Sequence, residues 1–147
     1  MAAERIATAT WEGSLAEGQG RIDLESSGLG SALPVTWASR TEQPGAKTSP
    51  EELLAAAHAS CFSMALSHQL TGKGHPPERL DVRANATFDK VGDGFRVTGV
   101  RISVRGRVPG IDADTFREAA NAAKEGCPIS QALKGNVPIE LEEVTLE

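Results

Sequence analysis

The sequence predicts an α+β fold in which antiparallel sheets surround one buried helix, in the order three strands, helix, two strands, helix, strand. Three observations carry this expectation. The run from Leu53 to Leu66 is apolar around most of its circumference, with His58, Ser60 and Ser63 as its polar breaks, the mark of a helix buried on most sides. Leu80, Val82, Ala84, Ala86 and Phe88 alternate strictly, as a strand with one buried face does. Phe116, Ala119, Ala120 and Ala123 recur at helical spacing, which lays an apolar stripe along a second helix. At 147 residues the chain is expected to form a single domain over 1–147, burying about two-thirds of the surface its unfolded form exposes.

The elements follow in order. Residues Arg5 to Trp11, Gly20 to Glu25 and Leu33 to Ser39 are short apolar or alternating spans separated by Gly-rich and Ser-rich turns, hence three strands. Arg40 stands at the end of the third, and 43–47 is a loop leading to the long helix. Ser49 is the expected N-cap, Pro50 suits the first helical position, and Glu51 and Glu52 complement the dipole of the first turn. Thr71-Gly72-Lys73-Gly74 and then His75-Pro76-Pro77 end the helix. Gly92-Asp93-Gly94 turns a hairpin. On its return arm the apolar parity changes at Gly99, which predicts a β-bulge there. Asp112 or Asp114 caps the second helix, Gly126 is its natural C′ residue, and Pro128 opens a short helix to about Leu133. A last strand from Val137 shifts parity near Glu142-Glu143.

Composition excludes several functions. A net charge of −5 with no basic run speaks against a nucleic-acid surface, which needs clustered Lys and Arg. The long helix is too short and too closely flanked by polar residues to span a membrane. Met1 to Arg5 lacks the apolar core of a signal peptide, so a cytoplasmic location is expected. In that compartment the two cysteines are more readily chemical than structural.

Cys61 lies three turns inside the buried helix, where burial raises a thiol pKa and the helix start gives no help. To react it needs a cation, and Arg40, which stays charged and binds oxygens in a fork, is the best candidate; otherwise Cys61 is a small core hydrophobe. Cys127, as N-cap of the helix that Pro128 opens, sits where a dipole favours thiolate, and on local physics it is the more acidic of the two; the alternative is an incidental helix-corner cysteine. His58 and His68 flank Cys61 on the same helix, so a Cys–His nucleophile pair is conceivable, although no orienting Asn or Asp is placed by spacing. A metal site on both cysteines and two histidines matches no zinc spacing. His75, beside two prolines, is expected to be solvated. Glu51 lies about 15 Å from Cys61 along an ideal helix, so it cannot touch Cys61 from the same helix; it can pair with Arg40 or simply stabilise the helix start.

Taken together, Ser49-Pro50-Glu51-Glu52-Leu53 through Ala57-His58-Ala59-Ser60-Cys61-Phe62-Ser63-Met64-Ala65-Leu66 resembles the first-cysteine helix of the OsmC/Ohr family of thiol peroxidases. Gly126-Cys127-Pro128-Ile129-Ser130 resembles its second-cysteine motif. Trp11-Glu12-Gly13, Ser39-Arg40-Thr41-Glu42 and Val108-Pro109-Gly110-Ile111-Asp112 match the OsmC branch, so the resemblance spans nearly the whole chain. Ser60 and Thr41 depart from the residues common in the family, Ala and Phe. The resemblance implies an OsmC-like fold in an intertwined homodimer that reduces organic hydroperoxides, and hydrogen peroxide less well, with no bound cofactor or metal. It implies Cys61 as the peroxidatic cysteine, Cys127 as the resolving one, Arg40 as the group that steadies thiolate and peroxide, and Glu51 as the holder of Arg40. It also implies an external dithiol reductant, possibly of lipoyl type. If Glu51 and Cys61 serve one site, the 15 Å between them predicts that Arg40 and Glu51 come from one subunit and Cys61 from the other.

Overall fold

The structure, a computed structural model, describes residues Met1–Glu147. The chain divides into two compact units, Met1–Leu53 and Leu54–Glu147. No helix is long and apolar enough to cross a membrane.

In the first unit, β1 (Thr8–Glu12), β2 (Gln19–Asp23) and β3 (Leu33–Val35) form an antiparallel meander, as expected. Gly20 lies on the central strand because a Cβ there would stand 2.8 Å from the Trp11 ring and 2.9 Å from Val35; its absence lets the two neighbouring strands' side chains share that space. The third strand is shorter than predicted. It stops at Val35, and α1 (Trp37–Thr41) follows, so Arg40 lies on a helix and not at a strand end. The cause is local: Thr36 and Ser39 bond each other's backbone N–H reciprocally at 3.0 Å, a capping box that turns an otherwise strand-like sequence into a helical turn. The buried residues of this unit are Ser39, Thr48 and Glu51, while Ile6, Trp11, Leu15 and Leu29 are exposed; no apolar side chain of the unit is buried.

The long helix α2 (Pro50–Gly72) begins as predicted, with the Glu52 N–H donating to the Ser49 hydroxyl at 3.1 Å. It ends in a left-handed Gly74 (φ 85°), with the His75 N–H bonded to the Leu70 carbonyl and the Gly74 N–H to that of Thr71, both at 2.9 Å. These are the paired bonds of a Schellman stop. In the second unit α2 buries one stripe, His58, Phe62, Leu66 and Leu70, and leaves Ala56, Ala57, Met64 and His68 exposed. The expected burial around most of the circumference is therefore not met within one chain, and Met64 is 66% exposed.

The stripe packs on a sheet of β4 (Arg79–Val91), β5 (Gly94–Arg107) and β6 (Ile139–Leu146). Register shifts between Thr87 and Phe88, leaving Thr98 as the extra residue on β5, one position from the predicted bulge at Gly99. On β6 the shift falls at Glu142, as the parity change required. One pairing corrects the expectation of antiparallel sheets: β6 runs parallel to β5. A crossover through α3 (Ala113–Gly126) and α4 (Pro128–Leu133) joins them, and a connection of that length returns the chain to the starting end of the sheet.

Asp112 caps α3 by accepting from the Thr115 N–H at 2.8 Å, and the predicted stripe Phe116, Ala119, Ala120 and Ala123 is fully buried. Gly126 is the last helical residue and has no positive φ, so it is not the left-handed C′ residue expected. Cys127 ends α3 instead.

Gly106 on β5 has the ring of Phe116 against it: an added Cβ would lie 2.5 Å from Cζ and 2.7 Å from Cε2. Gly106→Ala is therefore expected to overpack the core and lower the unfolding free energy by about 1–3 kcal/mol, read as a lower midpoint in urea with an unchanged slope.

Candidate active site

The residues singled out from the sequence gather in two groups, one in each unit. In the first, α1 and the start of α2 hold Arg40 and Glu51. Ser39 donates its hydroxyl to the Thr48 carbonyl at 3.0 Å, and the Thr48 hydroxyl donates to Glu52 at 2.7 Å, tying α1 to the segment that leads into α2. Arg40 then reaches Glu51 in a fork: Nε lies 3.1 and 3.2 Å from the two carboxylate oxygens and Nη2 lies 2.8 Å from Oε1. The Arg40 guanidinium also stands 5.9 Å from the centre of the Trp37 ring, within reach of a cation–π attraction. Glu51 is 8% exposed, so its charge depends on Arg40 for most of its compensation, and such bidentate pairing fixes the plane of the guanidinium.

In the second unit Cys61, from the middle of α2, meets Cys127 at the corner between α3 and α4. Their sulfurs are 2.9 Å apart and both thiols are free, within about 1 Å of a disulfide's ~2.05 Å bond. Cys127 closes α3, donating its N–H to the Ala123 carbonyl at 2.9 Å, and at the same time is the N-cap of α4 with Pro128 in the first turn. Two helices thus fix its backbone. Cys127 is fully buried and Cys61 partly exposed.

The two thiols are pushed in opposite directions. Burial raises the Cys61 pKa, and its bond to Cys127 raises it further, against a smaller opposing pull from the Ile129 amide. Burial acts upward on Cys127 too, but the Cys61 thiol, the Ser130 amide and hydroxyl and the Ile129 amide together outweigh it and hold Cys127 below its ordinary value. Cys127 makes no regular side-chain capping bond; the lowering comes from this cluster of donors around the sulfur. Cys127 is thus the thiol that its surroundings favour as an acid, through the donors about its sulfur more than through the helix end considered from sequence.

His58 does not pair with Cys61. It is fully buried, its Nε2 lies 2.7 Å from the Ser130 hydroxyl, and its Nδ1 has no partner. Burial depresses its pKa, so the imidazole is neutral. His68 is exposed and takes no part, which leaves the Cys–His pairing considered from sequence without a geometry. His75 is half-buried and not fully solvated. Sequence reasoning missed Ser130 and Trp37. Ser130 was findable as the third residue of a helix that Cys127 caps, where a small hydroxyl lies beside the cap; Trp37 was hidden by the strand assigned over it.

Comparison with known proteins follows the same lines. The family model described as OsmC-like protein matches residues 43–142. The chain is 41% identical over 143 residues to "Peroxiredoxin OsmC" of Escherichia coli (strain K12), covering 97% of this chain and 98% of that one. It is 34% identical over 96 residues to "Organic hydroperoxide resistance protein OhrB" of Bacillus subtilis (strain 168), covering 65% and 68%. Among solved structures, that of Bacillus subtilis OhrB superposes with a TM-score of 0.68 at 25% identity, over 97% of this chain and 98% of that chain. An OsmC-like protein from Mycoplasma pneumoniae gives 0.74 at 15% identity, over 99% of each, a likeness of fold.

The depressed pKa of His58 has a pH signature. Below about 6.5, the ordinary histidine value, the unfolded chain takes up a proton that folded His58 refuses, so stability falls on acidification through that point. Wild type is expected to lose more stability than His58→Gln between pH values on either side of 6.5; parallel losses in urea unfolding would show that His58 titrates normally.

Proposed function

The chain belongs to the OsmC-like family, and on that premise we propose that it is a cysteine-based peroxidase, one OsmC-like domain over 1–147. It reduces organic hydroperoxides, and hydrogen peroxide less well, in defence against oxidative and osmotic stress. The observation that carries this reading is the 2.9 Å contact between two free thiols in a family whose relatives bear the names peroxiredoxin and organic hydroperoxide resistance protein.

In the proposed cycle the Cys61 thiolate attacks one peroxide oxygen, the O–O bond breaks, and the alcohol leaves with a proton. Cys61 is left as a sulfenic acid. Cys127 condenses with it, forming a disulfide and releasing water before a second peroxide can over-oxidise the sulfur. An external dithiol, for which a lipoyl-type group is the proposed donor, reopens the disulfide by exchange. No bound cofactor enters this cycle, and it is assigned to the cytoplasm.

Cys61 is assigned the attack, although Cys127 is the better acid, because Cys61 is partly exposed and Cys127 fully buried. A peroxide reaches the first and not the second. The cost of ionising Cys61 is met in this proposal by Arg40, its guanidinium held by Glu51. The subunit is proposed to work as an intertwined homodimer in which Arg40 and Glu51 of one copy serve Cys61 of the other. Support comes from two surfaces: the first unit buries no apolar side chain of its own, and α2 leaves Met64 bare.

Peroxide treatment tests the chemistry. After one equivalent of an alkyl hydroperoxide, the non-reducing mass of the wild-type monomer is expected to drop by two hydrogens, Cys127→Ser to accumulate a trappable sulfenic acid at Cys61, and Arg40→Ala to react about 10²–10³-fold more slowly. Normal peroxide consumption by Cys61→Ser would reverse the roles of the thiols.

Subunit mixing tests the shared site. A heterodimer of Arg40→Ala with Cys61→Ser holds one site with both defects and one with neither if the residues come from different copies. Activity is then expected to return on mixing two inactive variants; a mixture as inactive as its parents would mean that each site is built from one chain.

A further inference from the structure

His58 occupies a position where an apolar side chain would serve packing better. It lies on the buried stripe of α2 with Phe62, Leu66 and Leu70, its Nδ1 has no partner, and its one polar link is the 2.7 Å contact to the Ser130 hydroxyl. Ser130 is itself buried and is the third residue of α4, the helix that Cys127 caps, which sets its hydroxyl in the turn beside the Cys127 sulfur, where it favours ionisation. Three buried groups therefore form a line from α2 to the corner of α3 and α4.

The proton positions along that line follow from counting. Ser130 has one hydroxyl proton. If it donates to His58, the ring N–H falls on Nδ1 and becomes a buried donor without an acceptor, the rarer kind of orphan. If His58 Nε2–H donates to Ser130, the orphan is a lone pair, and the serine proton is free for the sulfur. The second arrangement satisfies both donors.

We propose that His58 and Ser130 are a positioning pair for Cys127, in which the imidazole N–H holds the serine oxygen so that its proton points at the sulfur and favours the thiolate that attacks oxidised Cys61. This rests on the reading of Cys127 as the resolving thiol. In the step it serves, the Cys127 sulfur supplies the electron pair of the new S–S bond and the S–O bond of the Cys61 sulfenic acid breaks. The leaving hydroxide takes up a proton equivalent to the one Cys127 gave up on ionising, so that sulfenic acid and thiol become disulfide and water. The groups that face the sulfur are Cys61 from α2, His58 through Ser130, and the Ile129 and Ser130 amides of α4. On α3 the nearest charges in sequence, Lys124 and Glu125, are paired with each other at 3.8 Å.

The test follows thiolate absorbance of Cys127 against pH in a Cys61→Ser background, where no peroxide chemistry intervenes. Ser130→Ala and His58→Leu are each expected to weaken the thiol acid about tenfold, one unit of pKa, while His58→Gln, which keeps an N–H at the same reach, and Ser130→Thr, which keeps the hydroxyl, restore it. A purely structural role predicts no distinction between His58→Leu and His58→Gln at equal folded stability, and that result, or an unmoved titration in Ser130→Ala, overturns the proposal. If His58→Leu does not fold, the Ser130→Ala and Ser130→Thr pair decides alone. Failure of wild type to form a Cys61–Cys127 disulfide with peroxide would instead count against the peroxidase reading, and the titration would still decide the role of the pair.

Discussion

Two thiols carried by different helices meet at 2.9 Å, and the second unit is arranged so that neither can retreat. Cys61 is held by the packing of its own helix, since Phe62 and Leu66, the next buried positions on α2, are sunk in the core beside Val100, Ile102 and Phe116. Cys127 is held by its backbone, which ends one helix and begins another. A thiol on a loop would have to give up conformational freedom each time a disulfide formed; here most of that ordering is done by folding. The same stiffness limits what a reaction at this place can be, because a pair of sulfurs held so close is suited to joining and parting and leaves little room between them for a third group.

Much of this was legible beforehand, and the parts that were not have physical reasons. Most helix ends were readable because capping is local chemistry: Ser49, Asp112 and the Gly74 stop lie where their side chains or permissive backbone put them, whereas the stop expected at Gly126 passed to Cys127. The bulges at Thr98 and Glu142 were readable within one residue because a parity change leaves no other way to keep both halves of a strand facing the core. Strand direction was not readable. The parallel pairing of β6 with β5 is decided by the crossover, a matter of three-dimensional return that no local pattern records. The α1 turn was missed for the opposite reason: the Thr36–Ser39 box is as local as any cap, but the β-branched and aromatic residues around it carried the strand reading. At the site, the thiols and the Arg40–Glu51 pairing were visible as residue types with a plausible span. Ser130 was legible only as a small hydroxyl beside the Cys127 cap; its contact with His58 was not, since a serine in a helical first turn carries no mark of the histidine it will meet.

The first unit poses a separate constraint. Its strands are regular and its helical turn well capped, yet its buried residues are all polar, so within one chain its stability rests on hydrogen bonds and one partly buried ion pair. Exposed hydrogen-bonded structure of that kind is weak in water, because each bond replaces one to solvent, and three short strands need an apolar face covered to persist. Trp11, Leu15 and Leu29 are exposed candidates for that cover. The Arg40–Glu51 fork has the same dependence: a carboxylate 8% exposed gains from its partner only while the geometry stays close to ideal, and Ser39, Thr48 and Glu52 supply the bonds that keep it so.

The opposite pKa displacements of Cys61 and Cys127 also separate two properties that a single reactive thiol must combine. Exposure lets a substrate in but leaves the thiol to be ionised by whatever charge is brought to it. Burial beside helix amides and a hydroxyl supplies ionisation but closes the approach. Sharing the properties between two sulfurs in contact leaves the accessible one open to an incoming molecule and the buried one open only to its neighbour. In the proposed cycle this sets the order of events without any need for a difference in intrinsic reactivity: a peroxide meets the exposed Cys61 first, and the buried Cys127 has only that sulfur within reach.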